Sequence, residues 1–295
     1  MALRIHHSNR VETLLENLAE TLASRHGNPL DPEWVLLDNP TLGKWINLQL
    51  ALRDGVASNI RYVTLDDFFW DLARQVVSPA IPRNTPLSKD EMSWRLLGLL
   101  EDEALLDDPT MKPVRAYIHG DEYEELKRFQ LATRLADLFD QYLVYRPDWI
   151  LRWDQGGQAP KRGQHKRGDQ KQDNLWRNAE SWQRRLWREL VPGPLEELRH
   201  RAAIHQGLCQ RLAENPEVPT TYDRLSVFGV TAMAPGQIEL LMGLARHAEV
   251  NLFLPNPCAL EWFDIRSDRQ IARLTHWQEH RKRSKAAGIR LEADT

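Results

Sequence analysis

The chain has 295 residues, enough for two domains of ordinary size, and its 42% hydrophobic and 27% charged content describes a globular protein able to bury a core. No apolar run approaches the ~20 residues of a membrane span. Residues 1–10 carry no secretory-type apolar stretch, and Cys209 and Cys258 lie too far apart for a disulfide framework or a zinc ribbon, so a cytoplasmic protein is expected. The net charge of -3 gives no broad attraction to phosphates, so any DNA-binding surface has to be local. Eleven tryptophans are many for this length; most belong in a core or interface, and some could serve as base-stacking platforms.

In chain order, Leu3 to His7 reads as a short strand, with Ser8-Asn9 as a helix cap. Val11, Leu14, Leu15, Leu18 and Leu22 follow at helical spacing. Trp34 to Leu37 is a continuous apolar run between Pro32 and Pro40, as in a buried parallel strand. A helix from about Thr41 puts Leu42, Trp45, Ile46 and Leu50 on one side, Tyr62-Val63 is a weaker strand, and Asp66 opens a helix through Phe69, Trp70 and Leu72. Prolines 79, 82 and 86 then break regular structure. Ser88 to Glu91 has the pattern of a capping box and opens a helical region reaching about residue 213. Within it, Gly156 to Asn174 is rich in Gly, Gln, Lys and Arg and reads as a flexible loop. Strands are expected at Leu225 to Val230 and Val250 to Leu254, around a helix from Pro235 to Arg246. From Ile265 the chain reads as a basic helix that ends without a clear stop, as in a truncated protein. The pattern is α/β: a parallel-sheet domain formed by 1–85 and 215–295, interrupted by an all-helical insertion at 86–214.

The first strand–turn–helix is where a nucleotide-binding domain carries its phosphate loop. Such a loop needs glycines, so that backbone N–H groups can surround phosphate, then Lys and a hydroxyl for magnesium. Here it reads His7-Ser8-Asn9-Arg10, without glycine and too short to wrap a phosphate. Paired acids after the strand ending near Val230 are also missing. Either an ATP site has been lost or the chain never had one; periodicity leaves both open.

The segment from Ala136 to Trp149, ADLFDQYLVYRPDW, closely resembles the corresponding stretch of the RecC family, the gamma subunits of exodeoxyribonuclease V. The opening strand with its His7-Ser8-Asn9-Arg10 turn, Phe68 to Trp70, Met92-Ser93-Trp94, Phe228-Gly229 and Pro255 to Cys258 match in order and spacing, so the resemblance covers roughly Leu3 to Leu274. It implies a P-loop-NTPase-like fold of the superfamily-one helicase type without ATP hydrolysis. It also implies partners RecB and RecD, which use the ATP and magnesium, so no cofactor is expected in this chain. The function implied is a non-catalytic part of a helicase–nuclease in double-strand break repair by recombination. In this family the amino-terminal half helps to form the channel for the 3′-ended single strand, where the regulatory Chi sequence is read.

Positions that contact Chi in the family are implied unchanged at Asp137, Leu138, Asp140, Gln141, Arg146, Trp70 and Arg201. At 100° per residue, Leu131, Leu135, Leu138 and Tyr142 share one face, and Asp137, Asp140 and Gln141 the opposite arc. On pattern alone a solvated acidic face is the simpler reading. Acids repel phosphate but accept from base amino groups, and Gln pairs with adenine, so such a face inside a DNA channel would read bases. Arg146, before Pro147, is expected at a helix end, able to span a phosphate or guanine edge or to pair with a nearby acid. Core packing competes with base stacking at Trp70, and a solvated face with contact at Arg201. Four positions depart from the family: Asp38 and Lys44 stand where Gln is usual, Pro40 where Thr is, and Thr64 where Leu is. Amide-to-acid and amide-to-cation changes alter donor and acceptor sets, so a recognised sequence different from the best-known Chi is expected.

Other chemistry is weak. Pro147-Asp148 followed by Asp169-Gln170-Lys171 fits a loose nuclease formula, but those acids should lie on adjoining strands. His200, His205 and Cys209 share a helix at spacings less suited to zinc than to satisfied or exposed side chains. The basic run Lys161 to Lys171 reads as solvated coil, with phosphate contact secondary. A stand-alone magnesium-dependent nuclease and a pure assembly scaffold for RecB are the competing functions.

Overall fold

Five short strands, three of them apolar runs bounded by turn residues, lie all parallel in the order β1-β5-β4-β2-β3. The computed structural model describes residues 3–24, 30–82, 87–120, 122–159, 170–191 (side chains from 177), 200–215, 218 and 220–257. The strands are β1 (Leu3–Ser8), β2 (Glu33–Leu37), β3 (Ile60–Thr64), β4 (Arg224–Phe228) and β5 (Glu249–Pro255). Helices α1 (Val11–Ala23), α2 (Pro40–Asp54) and α3 (Leu65–Val76) alternate with the first three. Between β3 and β4 come α4 (Lys89–Glu101), α5 (Glu103–Leu106), α6 (Lys112–Ile118), α7 (Glu124–Tyr145), α8 (Pro147–Asp154), α9 (Gln170–Leu190) and α10 (Arg201–Glu214). Finally α11 (Pro235–Leu244) joins β4 to β5. An α/β chain with a parallel sheet and a long helical interruption is therefore what the patterning specified. The expected terminal helix from Ile265 lies outside the described residues.

Alternation along each strand builds two cores. Val35, Leu37, Phe228 and Phe253 face α1 and α2 through Leu14, Leu18, Ile46 and Leu50. Leu36, Leu225, Val227, Val250 and Leu252 face α3, α10 and α11. A third core is wholly helical, made by α4 to α9, with Phe139, Trp153 and Trp187 fully buried at its centre. Helix α10 joins the two systems. Its Ala202 packs into the helical core, and Ile204, Leu208 and Leu212 pack under the sheet.

Local chemistry sets the helix ends. Asn39 caps α2, its Oδ1 accepting from Thr41 N at 2.8 Å, and Pro40 takes the first helical position, where its missing N–H costs nothing. Gly55 at φ 83° closes the same helix in the left-handed conformation. Gly43 lets α2 approach β3, since a Cβ there would stand 2.8 Å from the Tyr62 ring. Thr64 caps α3: its hydroxyl accepts from Asp67 N at 3.1 Å and donates to Asp67 Oδ2 at 2.8 Å.

Three local expectations need correction. Ser8 does not cap α1; its Oγ accepts from Arg10 N at 3.1 Å, and Arg10 is the flanking residue. At α4 only half of the capping box forms. Ser88 Oγ accepts from Glu91 N at 3.2 Å, while the Glu91 carboxylate bonds Arg95 one turn on. The loop expected to reach Asn174 ends sooner, because α9 begins at Gln170.

Candidate nucleic-acid interface

The carboxyl ends of β2 and β3 bring Asp38 and Thr64 to one edge of the sheet, since Leu37 and Thr64 are register partners. From β2 the chain turns outward to β3, whereas β4 leads the other way to β5. The direction of winding thus switches between β2 and β4, and outside such a switch point open α/β sheets form a crevice. Asp38 is exposed there. Lys44, one turn into α2, is exposed as well.

Beyond β3, four helices converge. Asp66 in the first turn of α3 pairs with Arg201 at the start of α10, and Lys89 at the start of α4 pairs with Asp137 of α7. Asp140, one turn along α7, feels Arg201, Lys89, Asp66 and Asp137 together. Three acids therefore face two cations. Desolvation raises the Asp140 carboxyl above the usual carboxylate range, although Arg201 and Lys89 pull it down and Asp66 and Asp137 add to the rise. The same residue is exposed at the surface, as is Gln141 beside it.

Arg201 is held by more than its acid. Its guanidinium lies 4.5 Å from the centre of the Phe69 ring and 6.0 Å from that of Trp70. Trp70 is itself 5% exposed, set edge-on to Phe69 at 5.0 Å. Packing, rather than an open stacking face, is its state in this structure. The neighbouring His200 anchors the helix start. Its Nδ1 accepts from Ala203 N at 3.2 Å, so Nε2 carries the proton donated to Asp154 Oδ2 at 2.8 Å. Asp154 Oδ1 in turn accepts from the Trp187 indole at 2.9 Å.

The buried stripe of α7 differs from the expected one. Ala132, Leu135, Ala136, Phe139 and Leu143 are buried, whereas Leu131, Leu138 and Tyr142 are partly covered along its margin. Two alanines bring α7 close to antiparallel α4, so the small residues mark the contact line and the leucines flank it. Arg146 ends α7 as expected, with its guanidinium 5.3 Å from the Trp149 ring centre. It stands about 9 Å further along the helix than Asp140, at 1.5 Å rise per residue.

The structure thus gathers Trp70, Asp137, Asp140 and Arg201 into one cluster, brings Asp38 and Thr64 to the adjoining sheet edge, and leaves Arg146 apart. Sequence reasoning missed Asp66 and Lys89. Their only signal was position in a first helical turn, and nothing local announced partners so distant in the chain.

Among the described residues, the other candidate chemistries are not assembled in the form that the sequence suggested. Only Asn9 and Arg10 separate β1 from α1, and the Arg10 amide is already held by Ser8. After β4, Gly229 at φ 70° donates its N–H to Phe253 O at 3.0 Å. Asp148 sits exposed in the first turn of α8, a helix and not a strand, and Asp169 with the side chains of Lys161 to Lys171 lies outside the described residues. His200 bonds Asp154 away from His205 and Cys209. Among the described residues, no helix is long and apolar enough to cross a membrane.

A family described as "RecC, N-terminal domain" matches residues 3–294. The RecBCD enzyme subunit RecC of Escherichia coli (strain K12) is 34% identical over 92% of this chain and 23% of its own length. The Haemophilus influenzae subunit is 31% identical over 94% of this chain and 25% of its own. That of Mycolicibacterium smegmatis is 29% identical over 89% and 22%. The chain spans about a quarter of the length of these curated relatives. On the strength of the match across nearly all its residues, the chain belongs to the RecC amino-terminal domain family.

Proposed function

We propose that this chain is a DNA-recognition and scaffold portion of the RecBCD helicase–nuclease (exodeoxyribonuclease V), acting in the cytoplasm in double-strand break repair by homologous recombination. Its partners are RecB and RecD, named with the relatives' subunit, and the 3′-ended single strand in which Chi is read. The parallel sheet, with a glycine-free turn after β1, supports a superfamily-one-helicase-like core with a degenerate ATP site. ATP and magnesium are then used by the partner subunits and not by this chain. The helices at 86–214 act as an insertion domain that presents α7 to the strand.

The observation that carries this reading is Asp140: exposed, and set among two acids and two cations that pair with one another, so that its own charge leaves the cluster negative. A surface of that sign is poor at holding phosphate. It suits the exocyclic amino groups of bases, which donate to carboxylates, and Gln141 offers both a donor and an acceptor for adenine. Arg201 and Lys89 fix the acids and supply the nearest cations for the backbone. Asp38 and Thr64 extend the reading surface along the sheet edge, and Lys44 offers donors alone, so the preferred sequence differs from the best-known Chi. Leu138, Trp70 and Arg146 contribute by shape and support.

The test is reconstitution with RecB and RecD from the same source. Nuclease attenuation is followed on DNA libraries carrying variable octamers. One preferred sequence should emerge, and Asp140→Ala should remove the preference while leaving unwinding intact. A complex whose cleavage pattern is indifferent to sequence, or unchanged in Asp140→Ala, refutes the assignment. ATP turnover by the isolated chain above background would contradict the degenerate ATP site.

A further inference from the structure

Helix α10 carries His205 and Cys209 four residues apart, hence on one face, and α11 places Glu239 opposite them. One ligand atom from each residue lies within 4.8 Å of the others. We propose that His205, Cys209 and Glu239 bind a single zinc-class divalent cation that clasps α10 to α11.

Four observations support the site. Ligand atoms held 2.0–2.3 Å from one tetrahedral ion stand about 3.3–3.8 Å apart; Cys209 Sγ is 3.9 Å from His205 Nδ1 and 3.5 Å from Nε2, so the thiol turns about its Cα–Cβ bond toward Nδ1 when the ion binds. The ring is already oriented: Nε2 lies 2.8 Å from Gly236 O, so it donates there and leaves the Nδ1 lone pair for a metal. A ligating histidine commonly donates its second nitrogen to a carbonyl in this way, which fixes the tautomer. Gly236 makes the room, since a Cβ there would approach within 3.1 Å of the histidine Nε2. Finally, His205 stacks on Phe69 at 6.3 Å, and Glu239 is exposed, which leaves an entry path.

The donor set of imidazole, thiolate and carboxylate selects zinc, or cobalt in its place, over magnesium or calcium, which take oxygen ligands. Binding must displace the thiol proton, because burial and the Glu239 carboxylate push the Cys209 pKa up to about 12. That displacement weakens affinity without removing the geometry. The site needs no DNA and no partner subunit, so its failure and that of the recognition reading are separate.

The whole chain is dialysed against zinc chloride and the retained metal is counted, with cobalt substitution as a spectroscopic readout. Wild type should hold one equivalent and show thiolate-to-cobalt charge-transfer absorption. Cys209→Ala should lose both. Glu239→Gln, at an exposed position that leaves the core intact, should bind at least about tenfold more weakly. Cys258→Ser should behave as wild type. Failure of wild type to retain zinc, or retention by Glu239→Gln or Cys209→Ala equal to that of wild type, overturns the site.

Discussion

Arg201 bonds Asp66 across 135 positions of sequence, and so ties the first turn of α10 to that of α3, the helix that leaves the sheet. The pair is more than a surface contact, because the Arg201 side chain is 16% exposed and its guanidinium also covers Phe69. Exposed ion pairs contribute about 0–1 kcal/mol and cation–π contacts about 0.5–1 kcal/mol. Arg201→Ala should therefore lower unfolding stability in urea by about 1–2 kcal/mol. It should also raise the Asp140 carboxyl further, since the largest opposing charge is gone. Arg201→Lys should restore the carboxyl but not all of the stability, because an ammonium lacks the planar face. Equal stability of wild type and Arg201→Ala would show that the junction is held elsewhere.

Asp140 makes an opposite prediction for stability and for recognition. Its folded pKa is raised, so the unfolded chain gives up this proton more readily. The stability associated with the group is full below the unfolded carboxylate pKa, near 4 by the usual value, and is lost as pH rises through the folded one. Asp140→Asn removes that loss. Thermal unfolding should show the variant more stable than wild type at pH 7 and the gap closing as pH falls below about 4. Base reading should weaken in the same variant, because an amide presents a donor where the carboxylate only accepts. A gap that widens in acid would reverse the assigned direction.

Strands β2, β4 and β5 were legible because each is a short apolar run closed by Pro, Gly or Asn, and such runs specify burial on both faces, whereas β1 and β3 mix polar and apolar residues and stay more exposed. Asp137, Asp140 and Gln141 were legible as one arc of a helix. What periodicity could not carry was which helix lies opposite that arc. Lys89 and Asp66 come from elements whose own patterns concern only their own cores, so their meeting with α7 is a property of packing. The exact buried stripe was misjudged for a related reason. Leucines look more buried than alanines in a pattern, yet close approach of α4 and α7 favours Ala132 and Ala136 at the contact. Pro40 and Thr64 start α2 and cap α3, local roles that stand beside any contact with a ligand.

His200 positions Arg201 without belonging to the recognition surface. It is 3% exposed and spends both ring nitrogens, one on the Ala203 amide and one on Asp154. Loss of an N-cap costs about 1 kcal/mol and an unmade buried bond about 1–3 kcal/mol. His200→Ala should thus destabilise by about 2–4 kcal/mol and loosen the first turn of α10. Amide exchange should accelerate at 201–204 before it does at 208–212, whose side chains are held under the sheet. His200→Asn keeps a capping oxygen and should recover part of the loss. Uniform exchange along α10 would mean that the cap does not govern this helix end.

Glu180 separates the need for an acceptor from the need for a charge. The residue is 5% exposed, and one carboxylate oxygen, Oε1, accepts from the Trp153 indole at 2.7 Å and from Ala159 N at 3.2 Å. Both donors are buried, and both close the connection between α8 and α9 at the centre of the helical core. Removing the acceptor strands two N–H groups at about 1–3 kcal/mol each, partly relieved by water. Glu180→Ala should accordingly cost about 2–5 kcal/mol in chemical denaturation. Glu180→Gln retains a carbonyl oxygen that can take both bonds and should stay within about 1 kcal/mol of wild type. Loss of similar size in both variants would show that the negative charge itself is required, and would point to a cation bound against this carboxylate. A small loss in both would mean that water already serves the Trp153 indole. Since α8 also carries Asp154, the acceptor for His200, a large effect confined to Glu180→Ala should spread to the start of α10. Reduced recognition of the DNA strand by that variant would then follow from displacement of Arg201 alone.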